Sequence, residues 1–357
     1  MKKWLAFSTA SALFIAACTG GGSGTATTGS STPPSSAASS ATCTGAAALV
    51  KIAAIQEDRP QNEPWAAGLH DSLVKLQTQD NCVQFTETQD AFTPTKAEPE
   101  IRQFISAGYQ MILGHSFAMS DTIHKLAVEF PKVFFEVSNF EPPVPPNLTV
   151  ATESYLEVSY ATCWLLASIS KSHTIGIIAA QPLPNQKDDI IGCQLGAKAA
   201  DPTGKVLSVF DGSFTDLQAA REQSQNLVNQ GADGLFGSSS AEDSLGVMAY
   251  CEQNQQLNCS TWSADGRQYG PNTSVTSILL DWTPVLKDWV AQVRSGSFKV
   301  STADLTFANG GLSPQPFAGP SAAKVPASVQ AGYLSVIQQL TAGTISLPAS
   351  LAHPNNP

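Results

Sequence analysis

The chain has 357 residues, a formal net charge of −10 and 42% hydrophobic content. An acidic body argues against nucleic acid or an anionic lipid surface as its partner. The length exceeds what one hydrophobic core usually serves, so two lobes are expected.

The chain opens with Met1-Lys2-Lys3, an apolar run from Trp4 to Ala17, and Ile15-Ala16-Ala17-Cys18. A basic start, a short apolar stretch and small residues before a cleavage point describe an export signal. The run is shorter than the ~20 residues that span a bilayer. A cysteine directly after Ile-Ala-Ala marks a bacterial lipoprotein signal, residues 1–17, with diacylglycerol expected on Cys18. The plain alternative is an ordinary secretory signal with an incidental cysteine. Loss of Lys2 and Lys3 with the leader takes the charge to −12. From Thr19 to Thr42 the chain holds only Gly, Ser, Thr, Ala and Pro. Such a stretch buries too little to offset chain entropy, so residues 18–42 read as a lipidated cysteine and flexible linker. Its random-coil span is roughly 27 Å. No second apolar stretch is long enough to cross a membrane, so the expected protein is tethered by its lipid rather than embedded.

Short apolar strands then alternate with amphipathic helices. Ala48–Ile55 predicts a strand, Trp65–Leu76 a helix, Val83–Thr86 a strand and Pro99–Ala107 a helix. Met111–Leu113, Thr122–Phe130 and Val133–Val137 continue as strand, helix and strand. The pattern restarts with a helix over Tyr155–Ile169 and a strand over Thr174–Ala179. A helix over Ile190–Ala200, a strand over Val206–Phe210, a helix over Leu217–Asn229 and a strand over Gly234–Phe236 follow. Ser244–Gln253 and Ser260–Ser263 close the series. Repeated βα units with continuously apolar strands predict parallel sheets covered on both faces. The fold class is therefore α/β with two similar lobes, divided near Val150–Tyr155.

Cys18 apart, six cysteines remain: Cys43, Cys82, Cys163, Cys193, Cys251 and Cys259. An even number in an exported chain suggests disulfides, and fifteen pairings are open. Chain layout favours one set. Cys43 and Cys82 each precede a strand, Cys251 and Cys259 bracket a helix end and the next strand, and Cys163 and Cys193 would join two helices. Some could instead be buried free thiols. The spacings lack a metal-ligand pattern, so no metal site is expected.

In open parallel sheets ligands bind beyond the carboxyl ends of the strands. The residues just after each strand include Glu57 and Asp58, Ser116 and Phe117, Asn139, Phe214 and Asp265. Polar groups interspersed with aromatics suit a small, flat, hydrogen-bonding ligand. Each has a plainer reading as well: a phenylalanine at a strand end often belongs to the core, and acids on a loop often only solvate it. Gly114-His115-Ser116-Phe117-Ala118 is close to a nucleophile elbow. The histidines after it are His124, His173 and His353, and they assemble no triad with an acid in the required order. No enzyme and no cofactor are expected.

Three stretches carry a family resemblance. One is Ile101–Val137, with GYQMILGHSFAMSDTIHKLAVEFPKVFFEV. The others are DGSFTDLQAAREQSQNLVNQGADGLFGSSS and WSADGRQYGPNTSVTSILLDWTPVL. In this order over two lobes, the chain resembles the BMP (basic membrane protein) family of ABC-transporter solute-binding lipoproteins, the purine-nucleoside-receptor type, from Lys51 to about Pro348. The resemblance implies a type I periplasmic-binding-protein fold with a hinge crossed three times. Lobe 1 would comprise 43–152 plus about 281–315, and lobe 2 would comprise 153–280 plus about 316–357. It implies a purine nucleoside or nucleobase as ligand and an ABC permease as membrane partner; a monomer with no nucleic-acid partner is expected. It also implies ligand contact by Trp65, Ser116, Phe117, Phe214 and Asp265, with Trp282 matching an aromatic of some branches. The chain departs from the family pattern at Gln61–Trp65, at Ile191-Gly192-Cys193 and near Asp281-Trp282, where a basic residue is not evident. A sensory lipoprotein of the same fold, or a binder of another heterocycle such as a flavin, fits the same residues.

Overall fold

The computed structural model describes residues 43–91, 93–138 and 141–352. Cys18, its leader, the linker to Thr42, and Asn139 lie outside the described residues. Among those described, no helix is long and apolar enough to cross a membrane.

The first lobe begins with β1 (Val50–Gln56), α1 (Pro64–Gln79), β2 (Val83–Thr88) and α2 (Pro94–Ser106). It continues with β3 (Met111–His115), α3 (Ser120–Glu129), β4 (Phe134–Ser138) and β5 (Leu148–Glu153). The second lobe runs through α4 (Tyr155–Ile169), β6 (Thr174–Ala179), α5 (Pro184–Ala200), β7 (Lys205–Phe210) and α6 (Leu217–Asn229). It goes on with β8 (Gly234–Gly237), α7 (Glu242–Gln253), β9 (Asn258–Ser263) and β10 (Ser274–Leu280). Then come α8 (Thr283–Ser295), β11 (Thr302–Leu305), β12 (Leu312–Pro314), the short α9 (Gly319–Ala322) and α10 (Ala327–Thr341).

The strands form two sheets, ordered β11-β5-β4-β3-β1-β2 and β12-β10-β9-β8-β6-β7. All pairings are parallel except β10 with β12. The chain crosses between sheets after β5, after β10 and after β11. The last crossing lies at 306–311, a few residues before the predicted 315, because Leu312–Pro314 pairs with β10 of the second sheet.

Strand β1 shows why its sequence is apolar without alternation. Val50, Ile52 and Ala54 face the core shared with α1 and α8, while Ala53 and Ile55 face the core under α2 and α3. A strand sandwiched between helix layers needs apolar side chains on both faces. Prolines Pro64, Pro94 and Pro184 stand at the starts of α1, α2 and α5, where a missing N–H costs nothing. Pro94, not Pro99, therefore sets the start of α2; Pro99 lies inside that helix. Helix α5 packs closely on α4 because a Cβ on Gly196 would lie 2.0 Å from the Tyr160 carbonyl oxygen, and one on Gly192 2.5 Å from that of Leu156. Only glycine permits that approach.

Three disulfides are formed: Cys43–Cys82 between the entries to neighbouring β1 and β2, Cys163–Cys193 between α4 and α5, and Cys251–Cys259 between α7 and β9. Strand β5 differs most from the sequence reading. The sequence reading assigns no element between Val137 and Tyr155 and divides the lobes near Val150–Tyr155, yet all six residues of β5 are buried between β4 and β11.

Candidate functional site

The carboxyl ends of β1, β3, β4, β5, β6, β7 and β8 surround one cavity between the two sheets. Its volume is about 50 Å³. Glu57, Glu63, Trp65, Phe117, Ser138 and Glu153 come from the first lobe. Tyr155, Asn185, Phe214, Ser239 and Ser240 come from the second. The lobes touch at this rim. The Trp65 backbone N–H donates to the Ser240 carbonyl at 3.0 Å, and the rings of Phe117 and Phe214 lie 6.2 Å apart, centre to centre. Its walls are thus drawn from both lobes.

Trp65 is held from three sides. The proline start of α1 points the first turn at the cleft, and the indole stacks on His115 at 3.6 Å with a 20° tilt. Its Nε1–H donates to Glu153 Oε1 at 2.7 Å. The Tyr155 hydroxyl donates to the other oxygen of Glu153 at 2.9 Å. His115 is fully buried, and burial pushes its imidazole down to about 3, so the ring stacks as the neutral form.

Acidic side chains dominate the walls. Burial raises Glu57 to about 7, opposed by hydrogen bonds from Ser116 and Glu63. Burial, then the negative charges of Glu57 and Asp58, hold Glu63 well above the ordinary carboxylate range. The two carboxyls lie within hydrogen-bonding reach, so they share a proton more readily than they both ionise. Glu153 rises to about 7 through burial, despite its two donors. Across the cleft a second carboxyl pair joins Asp211, raised to about 6 by burial, and Asp243, raised well above its ordinary value by burial and by Asp211. None of the cavity-lining residues is Lys or Arg.

Of the residues singled out from sequence, Glu57, Trp65, Phe117 and Phe214 line this cavity. Asp58 lies just outside, in an acidic mouth shared with Glu57, Glu63, Asp90 and Glu242. Ser116 stands one layer back. Its hydroxyl accepts the Ala118 N–H at 3.1 Å and supports Glu57 from behind. Two of the singled-out residues lie away from this cavity. Asp265 faces a separate surface pocket beside Lys75 and Asp281, and its carboxylate is gripped by the guanidinium of Arg267 two residues on. Trp282 is 1% exposed, and His115 stands between it and Trp65. Trp282 lies in the packing behind the site because it begins α8, which folds onto the first lobe.

Glu63, Glu153, Tyr155 and Asn185 were not singled out from sequence. Glu63 offers a signal, an acid directly before a helix-opening proline on a predicted cleft loop. Glu153 and Tyr155 depend on recognising β5, whose end places them.

Comparison with known proteins agrees with this geometry. Residues 49–307 match the Bmp family, described as ABC transporter substrate-binding protein PnrA-like. A purine-binding protein of Brucella abortus is 23% identical over 61% of this chain and 61% of its own length. A putative ABC transporter glucose-binding protein of Haloferax volcanii is 22% identical over 60% of this chain and 54% of its own. The chain thus spans less than two thirds of these curated relatives. An ABC transporter solute-binding protein of Conexibacter woesei superposes with a TM-score of 0.70 at 25% identity, covering 84% of this chain and 99% of that one. Two parallel sheets joined by three crossings, a cavity at their carboxyl ends and a family match over most of the body place the fold with the periplasmic binding proteins. The chain belongs to the Bmp family of PnrA-like ABC transporter substrate-binding proteins, a family of binders and not of enzymes.

Proposed function

We propose that this chain is a lipid-anchored receptor, held by Cys18 at the outer side of a cell membrane, that captures a purine nucleoside or nucleobase and presents it to an ABC permease. The observation that carries the reading is the cavity itself. Aromatic faces from Trp65, Phe117 and Phe214 converge on it beside buried carboxyls, the chemistry of a flat ring held by stacking and directed hydrogen bonds. The purine-binding relative supports the ligand class. Trp65 and Phe117 on one lobe and Phe214 on the other would clasp the ring, with Glu57, Glu63 and Glu153 meeting its N–H and hydroxyl groups. Capture would couple to closure because both lobes supply the contacts, so the closed state alone holds the full set. Closed, monomeric receptor would then dock on the permease.

Thermal-shift and calorimetric titration with nucleosides, nucleobases, riboflavin and sugars tests the ligand. Purine nucleosides or bases should stabilise the protein. A stabilising sugar with no response to any heterocycle would overturn the reading. Anchoring is tested separately. Cys18→Ala should move the expressed protein from the membrane fraction to the soluble exported fraction, and an unchanged distribution would remove the lipid from the proposal.

A further inference from the structure

The lining of the cavity is unbalanced in hydrogen-bond donors and acceptors. Trp65 and Tyr155 spend their side-chain donors on Glu153. The hydroxyl of Ser138 donates to Glu136, that of Ser239 to Asp243, and that of Ser240 to the Ser239 carbonyl. Of the described hydroxyls in the lining, that of Thr152 alone has no partner and keeps a free O–H donor, on β5 and apart from the Glu57 and Glu63 loop.

Acceptors are in surplus. Beyond the proton that the Glu57 and Glu63 carboxyls share, and with the Asn185 amide N–H2 directed to Tyr155, Glu57 Oε2, Glu63 Oε2 and Asn185 Oδ1 are buried and meet no N–H or O–H of another residue. Glu63 is 3% exposed and Asn185 8% exposed, so solvent does not satisfy them. Even one proton shared between Glu57 and Glu63 leaves most of their oxygen lone pairs available as acceptors. The mouth repeats the imbalance, since it carries Asp58, Asp90 and Glu242, and the nearby Arg59 is bound to Asp90 at 2.6 Å.

A ligand that turns a carbonyl or phosphate toward this wall sets acceptor against acceptor in a buried site, where an unmade hydrogen bond costs most. A ligand that turns an amino group toward it supplies the missing donors. We infer that the cavity selects ligands presenting an amino group, rather than a carbonyl, to the wall formed by Glu57, Glu63 and Asn185. Taken with the purine reading on which it rests, the preferred ligands are amino-bearing bases over their oxo counterparts, and phosphorylated forms are excluded.

The test uses pairs that exchange an amino group for a carbonyl, a change that also turns the neighbouring ring nitrogen from acceptor to N–H donor. Purine riboside, which lacks the amino group and keeps that nitrogen an acceptor, is therefore titrated beside them, and its binding as tightly as adenosine would overturn the inference. Adenosine and inosine, and then cytidine and uridine, are titrated calorimetrically into the intact exported protein. Adenosine should bind at least about tenfold more tightly than inosine, as expected when a buried acceptor is left facing an acceptor. Equal or tighter binding of inosine overturns the inference while leaving the purine reading intact. Failure of both purines with cytidine preferred over uridine overturns the purine reading and upholds the amino-group selection. Failure of all four overturns both. Glu63→Gln and Glu57→Gln each replace one acceptor oxygen with a donor at nearly constant shape. In variants whose unfolding remains cooperative, the adenosine preference should shrink or reverse. A preference undiminished in both variants would take the selection away from this wall.

Discussion

Two acidic loops, each just past the carboxyl end of a strand, look alike in sequence and behave differently in the fold. The loop after β1 carries Glu57, Asp58 and Glu63; the loop after β9 carries Asp265. Asp265 is neutralised locally, because Arg267 reaches back to it and the Arg267 backbone N–H caps it at 2.9 Å. That pairing holds its carboxyl below the ordinary value against the opposing effect of partial burial. Glu57 and Glu63 have no such cation. Burial beside each other raises both, and they face a cavity. An acid at a strand end is thus a binding element when its charge is left uncompensated and buried, and a loop staple when a neighbouring arginine answers it.

The comparison can be broken most directly at Trp65, which closes the β1 side. Trp65→Ala removes a stacking face and strands Glu153 without one of its two donors. Base–aromatic stacking contributes about 1–3 kcal/mol, so purine affinity should fall roughly ten- to hundredfold by calorimetry. An unchanged Kd would place the ligand elsewhere. Phe117→Ala should weaken binding less, by about tenfold or below, since the ring is 43% exposed and makes a looser contact with Phe214.

The uncompensated acids also predict a pH response. Glu57 and Glu153 have an ordinary value of 4.5 and rise to about 7 in the fold. The folded chain therefore holds protons that the unfolded chain releases, and stability falls as pH rises from about 4.5 through about 7. The melting temperature should decline across that window. Glu153→Gln, which cannot ionise, should flatten the decline, and an unaltered slope would show that Glu153 titrates normally. The smallest effect belongs to the β9 loop. Asp265→Ala should leave ligand affinity unchanged and lower stability by about 0.5–2 kcal/mol, the range for a lost side-chain cap. A loss of affinity there would erase the distinction between the two loops.

Much of the fold was legible because it follows from local periodicity. Buried strands such as Thr174–Ala179, and helices such as Leu217–Asn229, carry their own apolar pattern, and the structure reproduces their bounds. The disulfide layout followed from the same order of elements, since parallel neighbours bring their entry points together. Strand β5 did not read out. Its mixed Thr, Ala and Glu composition follows a proline-rich stretch, and only pairing between β4 and β11 makes it a strand. With it went Glu153 and Tyr155.

Sequence by itself determined the class of the molecule: an α/β body of two βα lobes whose strand ends surround the candidate site. Those features depend on composition and on spacings of a few residues. Tertiary structure decided which strand-end residues form the cavity. It put His115 between Trp65 and Trp282, turned Asp265 to Arg267, and set Glu57 against Glu63. Such choices rest on burial and on partners distant in the chain, and a side chain's role in binding is fixed by what remains unsatisfied once those partners are in place.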